Sequence, residues 1–340
     1  YASEVSAATT QEIENALVKR IKQGVYGYSF APDEYFDAVI SWMKRRHDFN
    51  VDKEWIIPTP GVVTAIKLCV NAYTKENDAI IINKPVYYPF DFSIELNHRK
   101  IIENEMVYKD GSYEMDYDAF EKAIVENDVK MFILCNPYNP IGKVWKEDEL
   151  KQIGEICKKH RVLVIVDEIP FYNVDESYKE FSVILTAPSK TFNLAGLQTS
   201  NIIIADEKLR KAYQETMNRY GVNEPNFLGI IACMTAYNEC ELWVDEMLEY
   251  VYDNFTYFDE FLKENLPHIH LVKPEGLYLC WVDFRECGLD KDELEKTMLE
   301  KAGLWLDEGY IFGTGGEGFE RFNLAIPRSV LEDACQRLLK

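Results

Sequence analysis

The sequence predicts an α/β protein with a mainly parallel sheet flanked by helices, followed by a smaller C-terminal α/β unit. Three observations predict it. Short apolar runs at residues 79–82, 129–134 and 162–166 are continuous rather than alternating, the pattern of strands covered on both faces. These runs alternate with stretches of helical spacing, the order that builds a parallel sheet. Beyond Pro225 the alternation gives way to a long helical stretch and then to a second, shorter strand–helix series. A chain of 340 residues has room for one very large domain or two.

The elements follow in order. Residues 10–21 form an amphipathic helix with Ile13, Leu17 and Ile21 on one stripe, ended by Gly24. The aromatic, glycine-rich stretch 24–29 is a loop, and helical spacing returns over 33–47. Strands at 79–82, 100–103 and 129–134 precede a helix at 147–160, which feeds the strand at 162–166; runs at 181–185 and 201–205 continue the series. Residues 226–266 read as one long helical stretch with periodic Leu242, Met247, Val251 and Phe255. The second unit comprises strands at 270–272 and 278–284, a helix at 291–301 and a strand at 321–325. A final helix is expected to open with a Ser329-x-x-Glu332 capping box.

Composition narrows the function classes. Hydrophobic content of 47% is ample for a packed core. A formal net charge of −21 opposes non-specific binding to nucleic acid or to an anionic membrane. No apolar run approaches the roughly 20 residues of a membrane span, and no signal-peptide pattern appears. The 8 cysteines include no Cys-x-x-Cys pair and lie mostly in apolar stretches, which points to reduced core thiols in a cytoplasmic protein. The 5 histidines are scattered without metal-ligand spacing. The chain starts at Tyr1 rather than methionine, close to a helix, and is read as lacking residues before it.

The chemistry concentrates at strand ends, where ligands bind in such sheets. Lys190 follows the apolar run 181–185, and the pair Asp167-Glu168 closes the run 162–166. A lysine and an aspartate so placed are what holding pyridoxal phosphate requires: the lysine forms a Schiff base with the aldehyde, and the carboxylate keeps the pyridine nitrogen protonated. Pro60-Gly61-Val62-Val63-Thr64 opens a helical stretch whose first N–H groups suit a phosphate. Tyr87, in Pro85-Val-Tyr-Tyr-Pro89, follows a strand and can stack on a pyridine ring. Asn136-Pro137-Tyr138-Asn139-Pro140 forces a defined turn after the strand at 129–134. Taken singly, each signal has a plainer reading: a helix start, a core tyrosine, a strand–helix turn, a helix cap, a solvated lysine.

Taken together, Pro-Gly, Tyr, Asn-Pro-x-Asn-Pro-x-Gly, Asp-Glu, Ser-Lys and a C-terminal Arg-x-Asn resemble the fold-type I pyridoxal-phosphate enzymes, aminotransferase classes I and II. The similarity covers nearly the whole chain. Ala187-Pro-Ser-Lys-Thr-Phe-Asn-Leu-Ala-Gly-Leu-Gln198, and Phe312-Gly-Thr-Gly-Gly-Glu-Gly-Phe319 ahead of Arg321, look closest to MalY/PatB-type cystathionine β-lyases, also called cysteine S-conjugate β-lyases. The resemblance implies a seven-stranded, mainly parallel sheet in a large cofactor-binding domain over 31–239, with 1–30 and 240–340 forming the small domain. It implies that Lys190 is the cofactor-linking lysine and catalytic base, Asp167 the pyridinium partner and Tyr87 the stacking ring. Asn139 would bond the phenolic oxygen, with Gly61, Val62, Val63 and Ser189 at the phosphate. Arg321 would take the substrate α-carboxylate. Tyr28 matches the tyrosine sent into the neighbouring subunit's site, which implies a homodimer.

Two departures stand out. Gln198 occupies the place where classical aspartate aminotransferases carry a phosphate-binding arginine, which leans toward the lyase subgroup, and Pro170 stands where the subgroup has histidine. The interval from Asp167 to Lys190 is short for the family and is read as missing residues rather than a true deletion. Gly313-x-Gly315-x-x-Gly318 spells a dinucleotide fingerprint, yet too little chain follows it for a βαβ unit of about 30 residues. The sequon Asn254-Phe-Thr256 falls in a helical stretch and carries no function in a cytoplasmic chain. Three activities stay open: a β-lyase releasing thiol, pyruvate and ammonia; a class I/II aminotransferase; and a regulatory binding module on a pyridoxal-phosphate fold. Retention of Lys190 and Asp167 speaks against the last.

Overall fold

A computed structural model describes residues 8–167 and 175–340. Thr10 caps α1 (Gln11–Ile21), its hydroxyl accepting from the Ile13 N–H. A largely exposed stretch leads to α2 (Asp33–His47). The chain then runs through β1 (Ile56–Thr59), α3 (Val62–Tyr73), β2 (Ala79–Lys84), α4 (Pro89–Glu95) and β3 (Lys100–Glu105). A hairpin of β4 (Val107–Lys109) and β5 (Ser112–Glu114) turns on Asp110 and Gly111, both at positive φ, the conformation a two-residue hairpin needs. Next come α5 (Tyr117–Glu126), β6 (Val129–Cys135), α6 (Glu147–His160), β7 (Leu163–Asp167), β8 (Ser182–Thr186), β9 (Ser200–Ile203) and α7 (Glu207–Tyr220).

Seven of these strands form one sheet in the order β1-β9-β8-β7-β6-β2-β3. Strands β2, β3, β6, β7 and β8 run parallel, and β9 runs antiparallel to both neighbours. The sheet is therefore mainly parallel, as the continuous apolar runs require. Ile80, Ile81 and Ile82 are fully buried because helices cover both faces. Strand β1 carried no periodic signal. It contains Pro58, and it lies at the sheet edge, where a residue without an N–H is tolerated.

The long helical stretch is two helices, α8 (Phe227–Glu239) and α9 (Glu241–Asn265). At Cys240 the backbone leaves helical geometry (φ −113°, ψ 21°), and its thiol meets the Thr10 hydroxyl at 3.0 Å. The break thus falls where the start of α1 docks, a tertiary contact that local spacing cannot report. A second sheet, β10 (His270–Leu271), β11 (Leu279–Asp283), β12 (Asp307–Glu308) and β13 (Phe319–Asn323), is antiparallel in the order β10-β11-β13-β12. Between β11 and β12, α10 (Lys291–Lys296) opens with an Asp290–Glu293 capping box and widens into a π turn over Thr297–Ala302. Helix α11 (Arg328–Leu338) follows β13. The expected Ser329–Glu332 box does not form. Pro327 is the cap residue, with no side-chain hydrogen bond, so Ser329 already lies inside the first turn. Phe258, Leu262, Val282, Phe322 and Leu331 pack a core of their own beside this second sheet.

All 8 cysteines are free, and all but Cys287 are buried. Asn254 of the sequon is buried too. Its amide donates to the Leu324 and Ile326 carbonyls at 2.9 Å, and its oxygen accepts from Arg328 Nε at 2.7 Å. It is therefore a structural clamp between α9 and the start of α11. Gly313, Gly315 and Gly318 lie in a loop that enters a strand rather than a helix, which removes the nucleotide reading. No helix among the described residues is long and apolar enough to cross a membrane, and no cluster among them could hold a metal ion.

Glu320 on β13 is buried, and its Oε2 has no hydrogen-bond partner. Burial, reinforced by Glu308, Glu295 and Asp307, pushes its carboxyl up to about 8 from an ordinary 4.5. The fold favours the protonated form. The stabilising contribution is full below about 4.5 and is lost as pH rises to about 8. Glu320→Gln removes this dependence. Melting curves across that window should show the parent losing several degrees relative to the variant; parallel curves for the two proteins would refute the assignment.

Candidate active site

Strands β2, β6, β7 and β8 end on one edge of the large sheet. The register pairs Asp167 with Cys135 on one side and Leu185 on the other, which sets this carboxylate in the middle of that edge. A cavity of about 330 Å³ opens there. Gly61, Val62 and Val63 form one wall at the start of α3, and Tyr87 follows β2. Asn139 follows β6, and Ser189 and Lys190 come after β8. The expected residues on these elements therefore meet around one space.

Each wall has a physical character. Gly61 takes φ +84°, a left-handed value that favours glycine, and no atom stands within 4 Å of where its Cβ would be. No side chain caps α3 and no acidic residue lies in its first turn, so its leading N–H groups, on residues that line the cavity, are uncommitted within the helix. That is an anion cradle aided by the helix dipole. Burial pushes the Asp167 carboxyl upward, and the nearby Lys190 charge opposes the rise. A cationic ring nitrogen beside Asp167 would restore its ionised form. Tyr87 donates its backbone N–H to the Asn139 carbonyl at 3.1 Å, tying the turns after β2 and β6 together. The Ser189 hydroxyl reaches the Thr199 carbonyl only at 3.5 Å, a weak contact that leaves it able to serve a ligand.

Arg321 stands one layer behind this wall, on β13, and is buried. Its Nη1 donates to Asn139 Oδ1 at 2.8 Å, its Nη2 pairs with Asp307, and its Nε has no partner. The Phe312 ring lies 4.8 Å from the guanidinium carbon. Asp307 and Phe312 were missed by sequence reasoning. Asp307 belongs to a two-residue strand with no apolar signature, and only the β12–β13 register places it opposite Arg321. Leu277, Tyr278 and Leu279 also line the cavity, with Leu277 held at φ +72°, a strained value for a bulky residue. Tyr28 does not reach this chain's cavity. It is 87% exposed and flanked by exposed Tyr26 and Phe30. Glu168 and Pro170 lie outside the described residues.

The donor set fits a phosphate-bearing pyridine aldehyde. There is an anion cradle, a carboxylate for a ring nitrogen, an aromatic ring for stacking and an amine for the aldehyde. Pyridoxal phosphate carries all four complements. This cavity, at the carboxyl edge of a mainly parallel seven-stranded sheet, defines a fold-type I pyridoxal-phosphate scaffold. The chain belongs to the aminotransferase class I and II family, whose family model matches residues 4–338.

Among its relatives is cystathionine β-lyase PatB of Bacillus subtilis (strain 168), 36% identical over 350 residues that span 99% of this chain and 90% of that protein. A pyridoxal-phosphate-bound putative aminotransferase from Clostridium difficile 630 superposes with a TM-score of 0.97 at 39% identity, over 100% of this chain and 90% of that one. Cystalysin from Treponema denticola, which contains pyridoxal 5'-phosphate, superposes with a TM-score of 0.96 at 38% identity, over 99% and 89%.

Proposed function

We propose that this protein is a pyridoxal-phosphate-dependent carbon–sulfur β-lyase acting on cystathionine or related cysteine S-conjugates. The observation that carries the proposal is the meeting of Lys190, Asp167 and the α3 N-terminus around one cavity. The PatB and cystalysin relationships support the lyase reading within that chemistry. In the net reaction the Cα–H and Cβ–S bonds break and water is consumed. Sulfur leaves with the bonding pair and takes up a proton as the thiol. The remaining carbons become pyruvate, with the water oxygen as its keto oxygen, and nitrogen leaves as ammonia.

The bound cofactor supplies the electron sink that makes the Cα–H bond acidic. The chain supplies the rest. Lys190 anchors the aldehyde and provides the amine that moves the Cα proton. Asp167 holds the ring nitrogen in its cationic form. Tyr87 would stack on the ring, and Asn139, whose Oδ1 accepts from Arg321 Nη1, would bond the phenolic oxygen. Val62, Val63 and Ser189 would take the phosphate; the Gly61 N–H already donates to the Thr59 carbonyl at 2.8 Å, so Gly61 serves through the open space beside it. Arg321 would take the substrate α-carboxylate, which its planar fork suits, once its Nη groups leave Asn139 and Asp307, which hold them behind the wall.

Incubation of the cofactor-loaded protein with cystathionine or S-methyl-L-cysteine, with no keto acid added, should release pyruvate and thiol in equal amounts. Amino transfer that requires a keto acid and releases no thiol would instead establish the aminotransferase reading, which shares the same residues as far as proton removal.

The assembly belongs to the same proposal. The exposed run Val25, Tyr26, Tyr28 and Phe30 supports a homodimer in which Tyr28 enters the partner's cavity. The chain divides into 31–239 for the cofactor and 240–340 with 1–30 as the smaller unit. The separate core of the second sheet supports that division, while Ile13 packs into the larger core and puts α1 at the border. Eight free thiols support a cytoplasmic location.

A further inference from the structure

A second cavity, of about 570 Å³, lies against the first. The two share Pro137, Ala187, Lys190, Leu277 and Tyr278 as walls, so Lys190 borders both. Resting on the lyase reading, we infer that this second chamber receives the sulfur substituent of the substrate and selects cysteine S-conjugates with bulky, uncharged, apolar groups, aromatic ones above all.

Space argues first. Small-ligand pockets run from about 300 to 1,000 Å³. The first cavity, at about 330 Å³, is at the lower end and is committed to the cofactor and the amino-acid head. A large group on sulfur must therefore go elsewhere. The amine that takes the Cα proton lies near Cα, and sulfur is only two bonds further on. The adjoining chamber, which Lys190 also borders, is within reach of whatever sulfur carries.

Chemistry argues next. Helix α9 contributes Met247, Val251 and Phe255 to the walls. Trp42 of α2 and Tyr237 of α8, stacked on each other with centroids 4.8 Å apart, add a rigid aromatic pair to the lining. At the mouth stand Leu248, 52% exposed, and Tyr252, 71% exposed, apolar side chains left in water beside an apolar recess.

Charge supports the same reading. Arg46 is already bound to Asp245 at 2.7 Å and Glu241 at 3.5 Å, and Glu275 accepts the Val144 N–H at 3.1 Å. Burial and Arg46 hold the His47 ring below its usual range, which favours its neutral form. Arg46 is thus committed to two carboxylates, while Glu275 keeps its charge at the rim. A second amino-acid head, as in cystathionine, would lose water there and find the cation that suits its carboxylate already paired.

The test compares S-benzyl-L-cysteine with S-methyl-L-cysteine on the cofactor-loaded protein. The expected result is a kcat/KM at least tenfold higher for the benzyl compound. Met247→Trp fills the chamber and should cut that ratio at least tenfold. Leu248→Asp, at a half-exposed position that tolerates change, sets a carboxylate at the mouth and should cut it at least threefold.

Benzyl methyl sulfide, which has the apolar group and no amino-acid head, gives a readout free of turnover. Calorimetry should show it binding the parent at one site per chain and binding Met247→Trp at least tenfold more weakly. A parent ratio near one, a preference that both variants leave intact, or no binding of the sulfide overturns the inference while pyruvate release upholds the lyase reading. If no S-conjugate yields pyruvate, the lyase reading falls, and the sulfide titration alone decides whether the chamber binds apolar groups.

Discussion

Lys190→Ala should abolish pyruvate release from every cysteine S-conjugate, a fall of at least about 10⁴-fold in kcat/KM. In the proposed role the side chain has two duties at one place, linking to the aldehyde and moving the Cα proton, and alanine supplies neither. The effect should appear without turnover as well. Borohydride treatment of the parent loaded with pyridoxal phosphate fixes the cofactor to the protein, and the added mass survives denaturation. The variant should gain no such mass. Normal turnover in Lys190→Ala would remove the catalytic assignment outright.

The second large effect is at Asp167. Asp167→Asn keeps the shape of the side chain and removes its charge. With the amide in place, the ring nitrogen loses the partner that keeps it cationic, and the cofactor draws electrons from Cα less strongly. Loss of a buried, paired charge costs about 3–5 kcal/mol, so kcat should fall by roughly 10²–10⁴-fold at about 1.4 kcal/mol per decade. The empty protein should respond in the other direction. Burial already opposes ionisation of this carboxyl, so the neutral amide should leave melting of the cofactor-free protein unchanged or raise it. A variant that melts earlier without cofactor, yet turns over normally with it, would show that Asp167 serves packing rather than the ring.

Much of this site was legible because a parallel sheet writes it in a regular way. Tyr87, Asn139, Asp167 and Lys190 each lie at or within a few residues of the end of an apolar run, and each such run became a strand ending on the same edge. The α3 cradle was legible through Gly61, since a backbone at positive φ before a helix calls for that residue. What sequence spacing could not supply was contact across distance. Asp307 needed the β12–β13 register, and Leu277 to Leu279 needed the second sheet to be laid against the first. The break at Cys240 needed the docking of Thr10. The β4–β5 hairpin is a different case. Its Asp110-Gly111 turn was visible and went unread because the flanking strands are only three residues long.

The link from Arg321 to Asn139 has a consequence for how such a molecule changes over generations. The groups proposed to anchor the coenzyme sit at the strand tips of the larger sheet, whereas Arg321 and Asp307 hang from the C-terminal one, and the Arg321–Asn139 bond is one of several ties between them, the Val86 N–H to the Phe312 carbonyl at 3.0 Å being another. Mutations accumulating on the C-terminal side can therefore alter a lineage's diet while its inherited chemistry stays whole.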